Sequence, residues 1–333
     1  MEVTFTEHVT ITDLSSVGEA RRRGLLLADR LGFDSVRSGE FGLLITEVAR
    51  NVLVHGGGGQ TIMTGIRNGT GAVARVLALD NGPGIADVSK AMGDGYSTAG
   101  TMGGGLGAMK RIASSLELFT SRAGTIVLLE LGSAPKQRAV QVAGMAVPYP
   151  GERLCGDAWA YHQTQERTVI LLVDGLGHGI SAAEASDEAV VIFRNRVEKS
   201  PSEILSYVHE GLRKTREAVA AVAEILPGPK ALNYAGVGNI SASMLSKQTS
   251  RSLVSHSGTL GLATAKIQEF KLDWPDDAIL IMHSDGLQNR WDLSTYAGLL
   301  ARHPAVIGAA LIRDFRRQRD DASVVVVKAS PDA

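Results

Sequence analysis

The sequence predicts an α+β protein built as two domains in tandem. Three observations carry that reading. In the first half, two glycine-rich loops about twenty residues apart bracket helical patterns. In the second half, aliphatic runs repeatedly end in aspartate. Between them, GSAPKQR at 132–138 is small, polar and proline-bearing with no periodicity, which marks a boundary with its linker at 133–138.

Bulk properties fit this division. A chain of 333 residues is long for one domain and natural for two. Hydrophobic residues make up 44% and charged residues 21%, enough apolar material for packed cores. A net charge of −1 without a long basic run gives no reason to expect nucleic acid or an anionic membrane as partner. The single cysteine, Cys155, cannot form an internal disulfide, and no apolar run approaches the ~20 residues of a membrane span. The expectation is a cytoplasmic protein. Its oligomeric state is not legible.

In order, residues 2–12 alternate as an edge strand, and a helix follows from Ser16 to Leu31, stopped by Gly32. The next helix, GLLITEVARNVLVHG, places Leu43, Leu44, Val48 and Val52 at helical spacing and sets Glu47 and Asn51 four apart on one face. A carboxylate there can take a proton from an attacking hydroxyl, and a side-chain carbonyl can ligate Mg²⁺. The glycines at 56–59 read as a helix-to-strand connection. Strands are expected at 61–67, 72–80, 115–121 and 124–131. The second of these regions begins the decisive stretch: Asp80 closes an apolar run, Asn81-Gly82-Pro83-Gly84 makes a tight turn, and Gly103-Gly104-Gly105-Leu106-Gly107 opens a helix. Glycines before a helix let backbone N–H groups approach phosphate, and an acid at a strand end can accept from an exocyclic amine.

Glu47-x-x-x-Asn51, Asp80-x-Gly82-x-Gly84, Gly103–Gly107 and Gly124-Thr125 resemble, in order, the boxes of the GHKL ATPase/kinase family. TEVARN and DGYSTAG are most similar to its RsbT-type serine kinases. The resemblance implies a Bergerat-type α/β sandwich over 1–132, binding ATP and Mg²⁺ through Asn51, Asp80, Gly82, Gly84, Gly103, Gly104, Gly105, Leu106, Gly107 and Thr125. It implies Glu47 as catalytic base and a STAS-domain partner as substrate, as in stressosome partner switching.

The second half, 139–333, has four acids at strand ends: Asp157 in CGDAW, Asp174 in VILLVDGLGHG, Asp285 in ILIMHSDG and Asp320 in DDASVVVVK. All-oxygen sets suit Mg²⁺ or Mn²⁺, and two such ions can prepare an attack on a phosphoester. Glycines directly after Asp174 and Asp285 permit close approach. His178 is either a proton donor or a backbone-satisfied loop histidine, Gly238-Asn239 reads as a turn between strands 231–237 and 240–246, and His256 and His283 read as packing residues. Helices are expected at 179–198, 201–221, 294–301 and 303–316, with Ser202 as a cap. The basic run RDFRRQRDD either ends a solvated helix or attracts a phosphorylated protein. GERLCGDAW, VDGLGHG, GVGNI, HSDG and DDAS together resemble the metal-dependent Ser/Thr protein phosphatases of the SpoIIE-like branch, RsbX-type members above all. That implies an αββα sandwich with Asp157, Asp174, Asp285, Asp320 and the Gly175 carbonyl on the metals, Asp174 and Asp285 being central to catalysis. One chain would then hold opposed kinase and phosphatase activities. The alternative is a phosphatase governed by a first domain that only binds ATP or a partner.

Overall fold

The computed structural model describes residues 2–68, 71–91, 105–132, 139–262 and 266–330. These divide into two compact units. One comprises Val3–Lys136 with Asp292–Asp314; the other comprises Met1–Glu2, Gln137–Trp291 and Phe315–Ala333. The expected linker, 133–138, lies outside the described residues.

In the first unit, β1 (Glu2–Ile11) leads to helices α1 (Leu14–Leu31) and α2 (Ser35–Gly56). Then come β2 (Gly59–Asn68), β3 (Gly71–Asp80), the short α3 (Val88–Ala91), α4 (Gly105–Ile112), β4 (Ser115–Ser121) and β5 (Gly124–Gly132). Asp13 caps α1 in a reciprocal pair with Ser16, and Gly32 ends it in the left-handed conformation at φ 77°. The strands form one sheet in the order β1-β2-β3-β5-β4, with β1 at the edge. On one face, Phe41, Leu44, Ile45, Val48 and Val52 of α2 pack with Leu27 of α1 and Met109 of α4 against Val76, Ala78, Val127 and Leu129. Leu43, expected in that stripe, is 50% exposed. The core side of α2 is set by Phe41 and Ile45, which rotate the stripe away from it.

The opposite face of the sheet is buried as well: Ile62, Leu77, Leu79, Phe119, Ile126 and Leu128 are all nearly inaccessible. Segment Asp292–Asp314 belongs here. The His303 N–H donates to Glu117 Oε2 on β4 at 2.8 Å, and Arg302 lies 3.8 Å from the same carboxylate. Its helix α7 (Pro304–Phe315) buries nine consecutive residues, Pro304 to Ile312.

The second unit contains β6 (Val140–Val147), β7 (Asp157–Gln163), β8 (Thr168–Gly175), α5 (Ile180–Arg194) and α6 (Pro201–Gly211). It continues with β9 (Ala218–Leu226), β10 (Ala231–Val237), β11 (Ser241–Leu245), β12 (Ser250–Leu253), β13 (Glu269–Asp273), β14 (Ile279–His283) and β15 (Ala322–Ala329). Two five-stranded sheets result, β13-β10-β9-β8-β7 and β12-β11-β14-β15-β6. They meet face to face. A Cβ on Gly144 of β6 would lie 2.5 Å from the Trp159 ring on β7, so only glycine leaves room for the indole. Helices α5 and α6 cover the first sheet, with Phe193, Ile204, Leu205 and Val208 over Val169, Leu171 and Val222. The segment expected to supply a helix over the second sheet groups with the first unit instead.

Two local expectations are corrected. Ser200, not Ser202, caps α6: its hydroxyl accepts from the Glu203 N–H, the Glu203 carboxylate returns to Ser200, and Pro201 occupies the first helical position. The helix expected over 201–221 ends at Gly211, because AVAAVAEIL pairs on both sides as the central strand β9.

Candidate active sites

The nucleotide-type residues gather at one end of the first unit's sheet. Glu47 and Asn51 share a face of α2, and Gly105 opens α4 directly beside them. A Cβ on Gly105 would stand 3.6 Å from Glu47 Oε2 and 4.0 Å from Asn51 Nδ2. Asp80 is buried at the end of β3, and its Oδ1 accepts from the N–H of Gly82 at 2.9 Å and of Thr125 at 3.1 Å. Both backbone donors therefore hold one oxygen, which orients the carboxylate. The surrounding glycines are required by contact. A Cβ on Gly124 would fall 1.9 Å from the Asp80 carbonyl oxygen, and one on Gly56 2.3 Å from the Asp80 Cβ. Gly84 turns the chain at φ 77° against Ser121. Thr125 lies 3.2 Å from Thr120 through their hydroxyls, and Thr120 accepts from the Ile85 N–H. Leu106 and Gly107 continue α4. Gly103 and Gly104 lie outside the described residues.

In the second unit the acids meet where strand ends converge. Asp157 and Asp174 are directly opposed across the antiparallel β7–β8 pair, so both carboxylates leave the sheet on the same side. Asp157 is 4% exposed. Its Oδ2 accepts from the Ser323 hydroxyl of β15 at 2.7 Å. Burial pushes the Asp157 carboxyl above the ordinary range, the hydroxyls of Ser284 and Ser323 oppose that shift, and the charges of Asp321 and Asp320 add to it. Asp174 is raised by burial first and then by the carboxylates of Asp157, Asp285 and Asp320. Asp285 and Asp320 are raised too, by burial above all, and they line a common open hollow of about 500 Å³ with Arg317, Gln318 and Arg319.

Asp321 does different work. Its Oδ1 accepts from the Tyr149 N–H at 2.7 Å and its Oδ2 from the Gly156 N–H at 2.9 Å, which ties the 149–156 loop to β15. Gly175 and Gly286 hold the strand ends together: a Cβ would fall 2.2 Å from the Ala182 carbonyl oxygen in one case and 1.8 Å from the Asp321 carbonyl oxygen in the other. His178 is exposed, stacks on Tyr149 with centroids 4.8 Å apart and lies 3.3 Å from Glu152 Oε1. Its ring thus has a carboxylate and an aromatic partner rather than a backbone one. His283 is buried and held neutral by desolvation, between the Ser284 carbonyl and the Trp291 indole. His256 stacks on Phe270. Burial, with Asp157 and Asp321 nearby, keeps the Cys155 thiol protonated and so unreactive.

Asn239 is the residue whose role the sequence did not disclose. Its Nδ2 donates to Asp285 Oδ2 at 2.7 Å, so the turn after β10 orients one of the acids. The only signal was an amide side chain at a strand end, where turn chemistry explains Asn equally well.

Do these acids suit divalent ions? Among the described residues no group of three or more His, Cys, Asp or Glu side chains, as placed, is gathered so as to hold a metal ion by itself. The donors are nevertheless all carboxylate oxygens, mutually repelling and partly desolvated. That is the arrangement suited to hard cations that keep several of their waters and need only one or two protein carboxylates each. Asp157, Asp174, Asp285 and Asp320 fit such ions.

Comparison with known proteins agrees with both halves. Residues 164–330 match the model of the SpoIIE family, described as Stage II sporulation protein E. Over 99 residues the chain is 36% identical to the serine/threonine-protein kinase RsbT of Bacillus subtilis (strain 168), which spans 30% of this chain and 74% of that one. A structure described as "The bacterial stressosome: a modular system that has been adapted to control secondary messenger signaling" superposes with a TM-score of 0.53. It is 26% identical, covering 57% of this chain and 99% of its own. RsbX in complex with magnesium gives a TM-score of 0.52 at 19% identity, covering 65% of this chain and 100% of its own, a likeness of fold. No helix among the described residues is long and apolar enough to cross a membrane. The chain belongs to the SpoIIE family of PP2C-type protein serine/threonine phosphatases, with an RsbT-like kinase region in its N-terminal part.

Proposed function

We propose that this chain is a bifunctional switch enzyme: a GHKL-type kinase domain over residues 1–132 joined through 133–138 to a phosphatase domain over 139–333. The first phosphorylates a serine or threonine of a STAS-domain partner with ATP; the second hydrolyses a phosphoserine or phosphothreonine, on that partner or a related regulator. The observation that carries the pairing is that each half assembles its own polar site. Gly105 comes to Glu47 and Asn51 in one, and Asp174 comes to Asp157 in the other.

In the kinase half, Asp80 orients adenine through its exocyclic amine, held by the Gly82 and Thr125 N–H groups. Asn51 would offer its carbonyl to Mg²⁺, and the first-turn N–H groups of α4, at Gly105 and Gly107, would receive phosphate. Glu47 takes the proton of the attacking hydroxyl; positioning and charge neutralisation supply most of the remaining acceleration. In the phosphatase half, Asp157, Asp174, Asp285, Asp320 and the Gly175 carbonyl would hold Mg²⁺ or Mn²⁺, two ions in this reading. Such ions supply Lewis acidity and lower the pKa of a water. Asn239 keeps Asp285 aimed, Ser323 keeps Asp157 aimed, and His178, paired with Glu152, is placed to deliver a proton to the leaving oxygen. The RsbT and stressosome relatives support a cytoplasmic partner-switching role.

The test uses Asp285→Asn, so that hydrolysis does not erase the kinase product. Incubated with labelled ATP, Mg²⁺ and a STAS-domain protein, this variant transfers label to the partner, and a further Glu47→Ala substitution stops the transfer while ATP still binds. Bound ATP without transfer to any STAS protein from the same genome would instead favour a phosphatase governed by a non-catalytic ATP sensor.

A further inference from the structure

The four acids of the phosphatase site carry four formal negative charges, and its substrate brings a phosphomonoester dianion. Two divalent ions balance the acids and leave the substrate's two charges without a counterpart. Something cationic must therefore face the hollow.

Two arginines do. Arg317 and Arg319 line the same hollow as Asp285 and Asp320 and are exposed. Their neighbour Arg316 is turned inward, its guanidinium donating to the Pro148 carbonyl oxygen. The backbone of Arg317 is fixed beside the acids: its N–H donates to the Gly286 carbonyl oxygen at 2.7 Å. A bridge between Leu287 and Arg316, with the Gln288 N–H donating to the Phe315 carbonyl oxygen at 3.0 Å, pins the same stem. Among the described residues, neither Arg317 nor Arg319 has a side-chain hydrogen bond or ion pair. Arg317 nonetheless lies close enough to Asp285 and His283 for its charge to act on both. A guanidinium without a fixed partner, on an anchored backbone at the mouth of an acidic site, suits a ligand with two oxygens to offer. Planar guanidinium matches phosphate oxygens in a bidentate fork, which a lysine ammonium cannot do.

We propose that Arg317 is the substrate-phosphate clamp of the phosphatase site, binding two non-bridging oxygens of the phosphoserine or phosphothreonine, with Arg319 adding charge at the rim. The inference deepens the phosphatase reading by assigning recognition of the dianion to a residue outside the acid set.

The test compares wild type, Arg317→Ala, Arg317→Lys and, as a remote exposed control on β12, Arg251→Ala. Each is assayed in saturating Mn²⁺ on a phosphoserine peptide, with inorganic phosphate as competitor. A wild type active on the peptide establishes the underlying phosphatase reading, so that its failure is distinguishable from failure of the clamp. Arg317→Ala raises KM and weakens phosphate inhibition together by about 10- to 100-fold, the value of a charge-assisted bidentate pair. Its Mn²⁺ half-saturation stays within about twofold of wild type, because no acid has moved. Arg317→Lys recovers part of the loss, which shows that charge and fork both count and that folding is not at issue. Unchanged KM and phosphate inhibition in Arg317→Ala would overturn the proposal. So would a shift confined to Mn²⁺ half-saturation, since Arg317 would then act on Asp285 rather than on substrate.

Discussion

Asp80 and Asp174 stand in nearly the same sequence surroundings, an acid after an aliphatic strand with glycine close behind. Their environments are opposite. Asp80 meets two backbone N–H groups on one oxygen, from Gly82 and Thr125. Asp174 meets another carboxylate, Asp157, directly across the β7–β8 pair. The first is satisfied by the chain, and in the proposed function its free oxygen reads a ligand. The second is left by the chain against a like charge, which in the proposed function cations relieve. What decides between them is the partner strand: β5 begins beside Asp80 with Gly124-Thr125, whereas β7 begins beside Asp174 with an aspartate.

Replacing each acid by its amide should separate the two cases most sharply. In Asp174→Asn, phosphatase turnover drops by about a thousandfold or more, and the thermal stabilisation given by excess Mn²⁺, about 2.7 kcal/mol at a hundredfold over Kd, disappears. In Asp80→Asn, ATP affinity falls by about 10- to 100-fold while Mn²⁺ stabilisation survives, as seen by titration calorimetry. Equal loss of Mn²⁺ stabilisation in both variants would erase the distinction.

A finer test concerns how the acidic site is held. Asn239→Ala frees Asp285 from its one amide donor, so phosphatase kcat falls by about tenfold, with Glu47-dependent phosphorylation untouched. Wild-type turnover in that variant would reduce Asn239 to a turn residue.

The smallest effect lies at a carboxylate that the chain does satisfy with charge. Glu130 opposes Arg75 across β3–β5, 2.7 Å from its guanidinium. Burial pushes its carboxyl up, but the charges of Arg75 and His303 outweigh burial and hold it below its ordinary 4.5. A carboxyl lowered in the folded state contributes stability above its unfolded pKa and loses it as pH falls through the folded value. Glu130→Gln therefore costs about 1 kcal/mol near neutrality, and chemical denaturation curves of the two proteins converge below about pH 4.

Much of this was legible in the sequence because strand ends announce themselves. VILLVDG, ILIMHSDG and LALDNGPG each couple a β-branched or aliphatic run to an acid and a glycine, and β8, β14 and β3 end within a residue or two of those acids. The same logic accounts for what stayed hidden. Asn239 and Arg317 act on a site through geometry that only β-pairing creates, and neither residue type betrays this in a turn. The α6 overrun had a similar cause, since AVAAVAEIL becomes a strand only because β8 and β10 lie on either side of it. Helix α7 is legible as a helix, but the sequence assigns it to the second unit's sheet whereas it groups with the first unit. PAVIGAALI is apolar on every side, so its periodicity names no single face for a sheet to cover.

That helix has a consequence for how this gene can be divided. Residues Asp292–Asp314 are encoded inside the phosphatase half yet belong to the compact unit of Val3–Lys136. A fragment cut at the apparent linker would leave the sheet bearing Leu77, Phe119 and Leu128 without the segment grouped with it. The complementary fragment would carry α7 as an apolar passenger. In this chain, then, the boundary that the sequence marks at 133–138 is not where the compact units divide, and a cut there separates Asp292–Asp314 from the unit it groups with.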